Sequence, residues 1–255
     1  MIERKKLGGL ALESVLATAM KMPGVKINRE DFLRKELKKY CDERTIDMAI
    51  QYNPAKAGIS KNIINKVSET VIDYETNKVS LLSVAASLPS SISFAAAGGA
   101  AVADITSYFA FIIRVVQELA YLYGFEEFEF HEDNVDSETM NLVLIFLGTM
   151  FGVQGASSVL GKLANSIAKQ ISKNLARQAL TKGTIYPIVK QVAKTVGIRM
   201  TKQIFADSLA SAVPVIGSLA SGGLTYVMFR PRCMKLRQNL MSYNLCDPDF
   251  YRRNS

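Results

Sequence analysis

Tryptophan is absent from this 255-residue chain, histidine occurs once and cysteine three times. The missing tryptophan removes the best residue for the aromatic belt that frames membrane-spanning helices, a role still open to tyrosine. With His131 the only imidazole, no His cluster can form, and no Cys–His spacing or GxSxG elbow is present. Cys41, Cys233 and Cys246 are odd in number and follow no metal or redox spacing, which points to a reducing compartment. No catalytic residue, metal or cofactor is therefore expected, and the chain is read as a non-enzyme.

Charge is missing in a more informative way. Three stretches, 79–103, 140–161 and 208–229, hold no charged residue. Each reaches the roughly 20 residues that cross a bilayer as a helix. The first, however, has Ala, Gly or Ser at 16 of 25 positions and the third at 10 of 22, too many small residues for a confident anchor. Mean hydropathy, +0.12, is high for a soluble protein and low for a polytopic one. The N-terminus begins like a signal peptide, but Glu13 cuts its apolar run to about six residues, too short for a signal core. An amphipathic helix with Leu12, Val15, Leu16, Ala19 and Met20 on one face fits better, and the chain is read as unexported.

What is present is helical signal almost throughout. Asp31 opens a charged helix in a region that ends at Asn53-Pro54. A second amphipathic segment runs from about Lys61 to Lys78, with Ile63, Ile64, Val67, Val71 and Ile72 inward. Residues 104–123 read as one helix closed by Gly124, a good C-terminal cap. The expected fold is all-α: a single multi-helix bundle over 1–255. It comprises amphipathic N-terminal helices (1–78), an apolar core (79–229) with Gly/Ala/Ser-rich hairpins at its centre, and a basic tail (230–255).

The charges that remain are segregated. Positions 126–138 carry seven acidic residues and no Lys or Arg, whereas 162–206 carry nine basic residues and no acidic one. Lys162, Lys169, Lys173 and Arg177 share one helical face opposite Leu163, Ile167, Ile171 and Leu175. After Pro187, Lys190, Lys194 and Arg199 oppose Val189, Val192, Val196 and Met200. Such a pair reads as a membrane-surface element, the alternative being a solvated helix face. The positive-inside rule permits a crossing at 140–161 but not another at 208–229. The outer two stretches are therefore read as hairpins, the third folding back at Pro214, Gly217 or Gly222-Gly223, and 140–161 remains the one plausible crossing.

Asp104, Ser107, Arg114 and Glu118 fall within an arc of about 80° on the 104–123 helix, at 100° per residue. Arg114 and Glu118 are spaced to pair. On so apolar a helix, charges must be paired or wet. The stripe is either a cavity lining that grips a headgroup or a buried ion-pair network that fixes register.

Other patterns fall away. The acidic segment lacks the glycine and ligand spacing of a calcium loop. Gly155 to Lys162 has five residues between its glycines and Leu163 after the lysine, so it is not a phosphate loop. Gly148 and Gly152 form a GxxxG pair that permits close helix approach. Despite a net charge of +8, the basic helices lack interleaved aromatics and no nucleic acid is expected as a partner.

The segments ADITSYFAFIIRVVQELAYLYG (103–124), MFGVQGASSVLGKLA (150–164), GTIYPIVKQVAKTVGIRMTK (183–202) and AVPVIGSLASGGLTYVMF (212–229) resemble the EcsC family of bacterial proteins. NPAKAGIS (53–60) is similar to the branch common in Gram-positive bacteria. The resemblance covers most of the chain in order, on apolar and Gly/Pro motifs. Where the family tends to show Pro-Gly, this chain has Pro89-Ser90. The resemblance implies a mostly helical, membrane-associated protein with no established activity. Some relatives are encoded beside ABC-transporter genes, which makes such a transporter a candidate partner. The combined expectation is a cytoplasmic protein, peripheral on the inner face of an anionic phospholipid membrane, with the hairpins either partly inserted or forming a lipid-accessible core. A soluble bundle holding a lipid in its core and a membrane-perturbing effector are the alternatives.

Overall fold

The computed structural model describes residues 10–86, 100–130, 137–169, 187–196 and 217–254, with side chains for all but the stretches 10–11, 79–86, 100–105 and 217–228 among them. Among these residues every regular element is helical, so the bundle is all-α.

Short amphipathic helices build the N-terminal part. Helix α1 (Leu10–Met20) buries Leu12, Leu16, Ala19 and Met20, the face expected from their spacing. Helices α2 (Arg29–Leu37) and α3 (Glu43–Gln51) both start on a side-chain cap. Asn28 accepts from the Asp31 amide at 2.9 Å and Asp42 from the Thr45 amide at 2.8 Å, satisfying donors that a helix start leaves free. Arg29 clamps the far end of α3, donating to the carbonyls of Ile50 at 2.7 Å and Ala49 at 3.1 Å. Its Nε reaches the Phe125 carbonyl at 3.1 Å, and burial lowers its pKa from the ordinary guanidinium value.

The long helices form the centre. Helix α4 (Lys61–Ala86) runs on into the first uncharged stretch, and α5 (Ala100–Leu122) leaves it. The Pro89 and Gly98-Gly99 turn expected between them lies outside the described residues. At the end of α5, Phe125 N–H bonds to Ala120 O at 2.9 Å and Gly124 N–H to Tyr121 O at 3.2 Å. This is a Schellman cap on a left-handed Gly124 (φ +96°), as its position suggests.

The 140–161 stretch is not one helix. Helix α6 (Ser137–Phe151) ends in a second Schellman cap, with Val153 N–H on Gly148 O at 2.7 Å and Gly152 at φ +69°. Gly155, also left-handed at φ +84°, then opens α7 (Ala156–Ala168). Among the described residues no helix is long and apolar enough to cross a membrane. The GxxxG pair separates into two jobs accordingly. Gly152 makes the turn, and Gly148 makes the close approach: a Cβ there would lie 2.5 Å from Val192 Cγ2 and 2.8 Å from Ala156 Cβ. Val192 belongs to α8 (187–196), so α7 and α8 both lie against α6.

Helix α9 (Gly217–Met241) begins at Gly217 and carries Gly222-Gly223 within its length, which removes that pair as a fold-back point. Pro214 lies outside the described residues. The basic residues after 229 continue this helix, and α9 packs along α4 in the most extensive helix contact among the described residues. Arg230 pairs with Asp73 at 2.8 Å and Arg237 with Glu69 at 3.0 Å. Arg237 also donates to Ser68 Oγ at 2.8 Å, in a network with Tyr123 OH. A 3₁₀ turn (Asn244–Cys246) and α10 (Pro248–Arg253) close the chain, with Tyr251 OH accepting from Asn53 Nδ2 at 3.0 Å.

Candidate functional site

Among the described residues two features carry chemistry: a buried charge cluster centred on α5 and a set of exposed lysines on α7 and α8.

The cluster starts from the predicted pair. Arg114 Nη2 lies 3.5 Å from Glu118 Oε1, as the i,i+4 spacing requires. The same nitrogen lies 3.3 Å from Glu75 Oε1 on α4. Sequence reasoning missed Glu75, though the signal was available: it follows Ile64, Ser68, Val71 and Ile72 on the inward face of α4. Its side chain is 1% exposed and that of Glu118 7%. Arg114 also donates to the Gly24 carbonyl in the turn after α1. Next to it Gln117 pins the same turn, donating to Val25 O at 2.8 Å and accepting from Ile27 N–H at 3.0 Å. Burial and the neighbouring Glu75 push the Glu118 carboxyl up to about 8, against the pull of Arg114.

Of the predicted stripe the structure thus brings Arg114 and Glu118 together. Ser107 is half-buried on the same helix, roughly 10 Å along its axis from Arg114 at 1.5 Å per residue. Asp104 lies in α5, with its side chain outside the described residues. Among the described residues no group of His, Cys, Asp or Glu is arranged to hold a metal ion.

The lysines are arranged differently. Lys162 on α7 and Lys169, its C-terminal cap, are exposed, whereas Leu163, Ala164 and Ala168 of the helix are buried. Lys190 and Lys194 are exposed on α8, where Val189, Val192, Ala193 and Val196 are buried. Both helices therefore have the two-sided character expected of them, and their apolar sides are spent on the protein core. Lys173, Arg177 and Arg199 lie outside the described residues. Sequence reasoning placed Lys235 in a tail; it is exposed on α9, and its Nζ lies against Gly152 in the turn between α6 and α7. Beside it Arg232 stacks 4.8 Å from the Phe151 ring centroid. A Cβ at Gly155 in that turn would lie 3.4 Å from Ile188 Cδ1, so α8 approaches the same turn as Lys235 of α9.

Comparison with models of known families, with curated proteins and with solved structures finds no match for this chain.

Proposed function

We propose that the protein is a non-catalytic helical protein that binds an anionic membrane surface by charge, through Lys162 on α7, Lys169 at its C-terminal cap, and Lys190 and Lys194 on α8. The observation that supports this reading is the division of labour on those helices. Their apolar residues are buried, Ala156 and Val192 against Gly148 of α6, while four lysines stay exposed. Near an anionic leaflet each such residue contributes about 1 kcal/mol. Four together give a marginal, salt-sensitive attachment, to which Lys235 and the basic residues between 170 and 186 add. In this reading α7 and α8 rest on the headgroups and do not insert, because insertion would strip the core of Leu163, Val192 and Val196.

The EcsC resemblance is consistent with such a protein, and with a cytoplasmic location beside a membrane transporter as partner. Flotation with vesicles tests the reading. The protein should rise with phosphatidylglycerol-containing vesicles at low salt and stay down with neutral phosphatidylcholine. Lys162→Glu, Lys169→Glu, Lys190→Glu and Lys194→Glu combined should abolish co-flotation while leaving the helical circular dichroism unchanged. Equal recovery with neutral vesicles would sink it.

A further inference from the structure

The cluster at the α4–α5 contact has too few partners for its charges. Glu75 and Glu118 share one guanidinium nitrogen, and each keeps a second oxygen, Oε2, that is buried without a hydrogen-bond partner. Arg114 Nε is buried and unpartnered as well. Two carboxylates against one guanidinium leave a surplus negative charge out of water, a state worth several kcal/mol of penalty.

The neighbours do not cancel it. On α4, Lys78 reaches Glu75 Oε1 only at 4.0 Å and is 39% exposed, so water screens it, while Tyr74 is exposed. From α2, Lys35 and Glu36 both act on Glu118 with opposite sign and are bound to each other at 2.7 Å. From α9, the buried Cys233 thiol feels both carboxylates, and burial raises its pKa, keeping it neutral. From the turn after α1 the Gly24 carbonyl, an acceptor, meets Arg114.

We propose that the Glu75–Arg114–Glu118 cluster binds one exchangeable proton, carried by Glu118, whose release unseats the turn after α1 from α5. With that proton in place one carboxylate faces one guanidinium, and a buried acceptor becomes a donor. When it leaves, the second carboxylate competes for Arg114, drawing the guanidinium from Gly24 O. The cluster is thereby a proton-operated latch between the N-terminal helices and the centre of the bundle. It stands independently of the membrane reading.

Carbon-13 NMR of glutamate-labelled full-length protein, with amide shifts of residues 24–27 recorded in parallel, tests the latch. One glutamate carboxyl should titrate with a midpoint near the value of about 8 set by its surroundings. The amides of Gly24, Val25, Lys26 and Ile27 should move with the same midpoint, and Glu118→Gln should abolish both titrations. If Glu118→Gln does not fold, Glu75→Gln serves: removing the like charge should bring the midpoint down by at least about one pH unit, since the neighbouring carboxylate helps to raise it. The proposal is overturned if every glutamate titrates below about pH 6 in the ordinary range, or if residues 24–27 ignore the titration. An unmoved midpoint in either variant overturns it too.

Discussion

Glycine 148 shows how single residues place the helices. A helical glycine replaced by alanine normally gains up to about 1 kcal/mol from propensity. Here the added methyl would collide with Val192 and Ala156, and overpacking of this kind costs about 1–3 kcal/mol. Gly148→Ala should therefore lower the denaturant midpoint; a higher midpoint would mean that α8 is not seated there. Glu118 makes a prediction of opposite character. Its folded pKa is raised from the ordinary 4.5 to about 8, so the stability it contributes is full below about pH 4.5. That contribution declines as pH rises and is gone above about 8. Thermal unfolding between about pH 6 and 9 should show the wild-type Tm falling relative to Glu118→Gln, and parallel curves would contradict the assignment. Arg114 and Glu118 were legible in the sequence because their partnership is local to one helix. Glu75 was not singled out, because nothing in a single sequence says which helix it faces.

At the scale of elements, two ion pairs among the described residues link α4 and α9, and they differ in worth. Arg230–Asp73 is partly exposed, 34% and 47%, and pairs of that kind contribute at most about 1 kcal/mol. Arg237 is 9% exposed and serves Ser68, Asn65 and Glu69 at once. Arg237→Met should cost about 1–3 kcal/mol by removing the buried charged donor to Ser68 Oγ and the Asn65 carbonyl, against less than about 1 for Asp73→Asn. Chemical denaturation of the two variants measures the difference; equal losses would refute it. The helix boundaries that the sequence revealed were those with local chemistry, such as the Gly124 cap. The break at Gly152–Gly155 was hidden, because an uncharged run of 22 residues outweighs two glycines in any hydropathy window. Only the caps on α6 expose it. Likewise Gly222-Gly223, a natural turn on paper, sits inside α9, where a long helix overrides glycine's weak local preference.

The whole molecule is organised by where charge is allowed. Its all-α character follows from periodicity alone, whereas the destination of the apolar faces depends on pairings between distant segments. That is why 140–161 reads as a crossing and folds as part of a core. The thiols follow the same division. Cys233 and Cys246 are buried and Cys41 is half-buried, with burial raising the pKa of each, that of Cys246 to about 11. Native protein should take up at most one equivalent of iodoacetamide rapidly, at Cys41, and three after unfolding. Rapid labelling of Cys233 would contradict the packing of α9. The central claim is that α7 and α8 meet a membrane by charge and not by insertion. Its most direct measurement is the salt dependence of binding to phosphatidylglycerol vesicles. Screening to about 3 Å at 1 M salt should release the protein completely, and binding should fall steadily from the low-salt value. Protein that stays with the vesicles at 1 M salt would show that apolar segments enter the bilayer, contrary to this account.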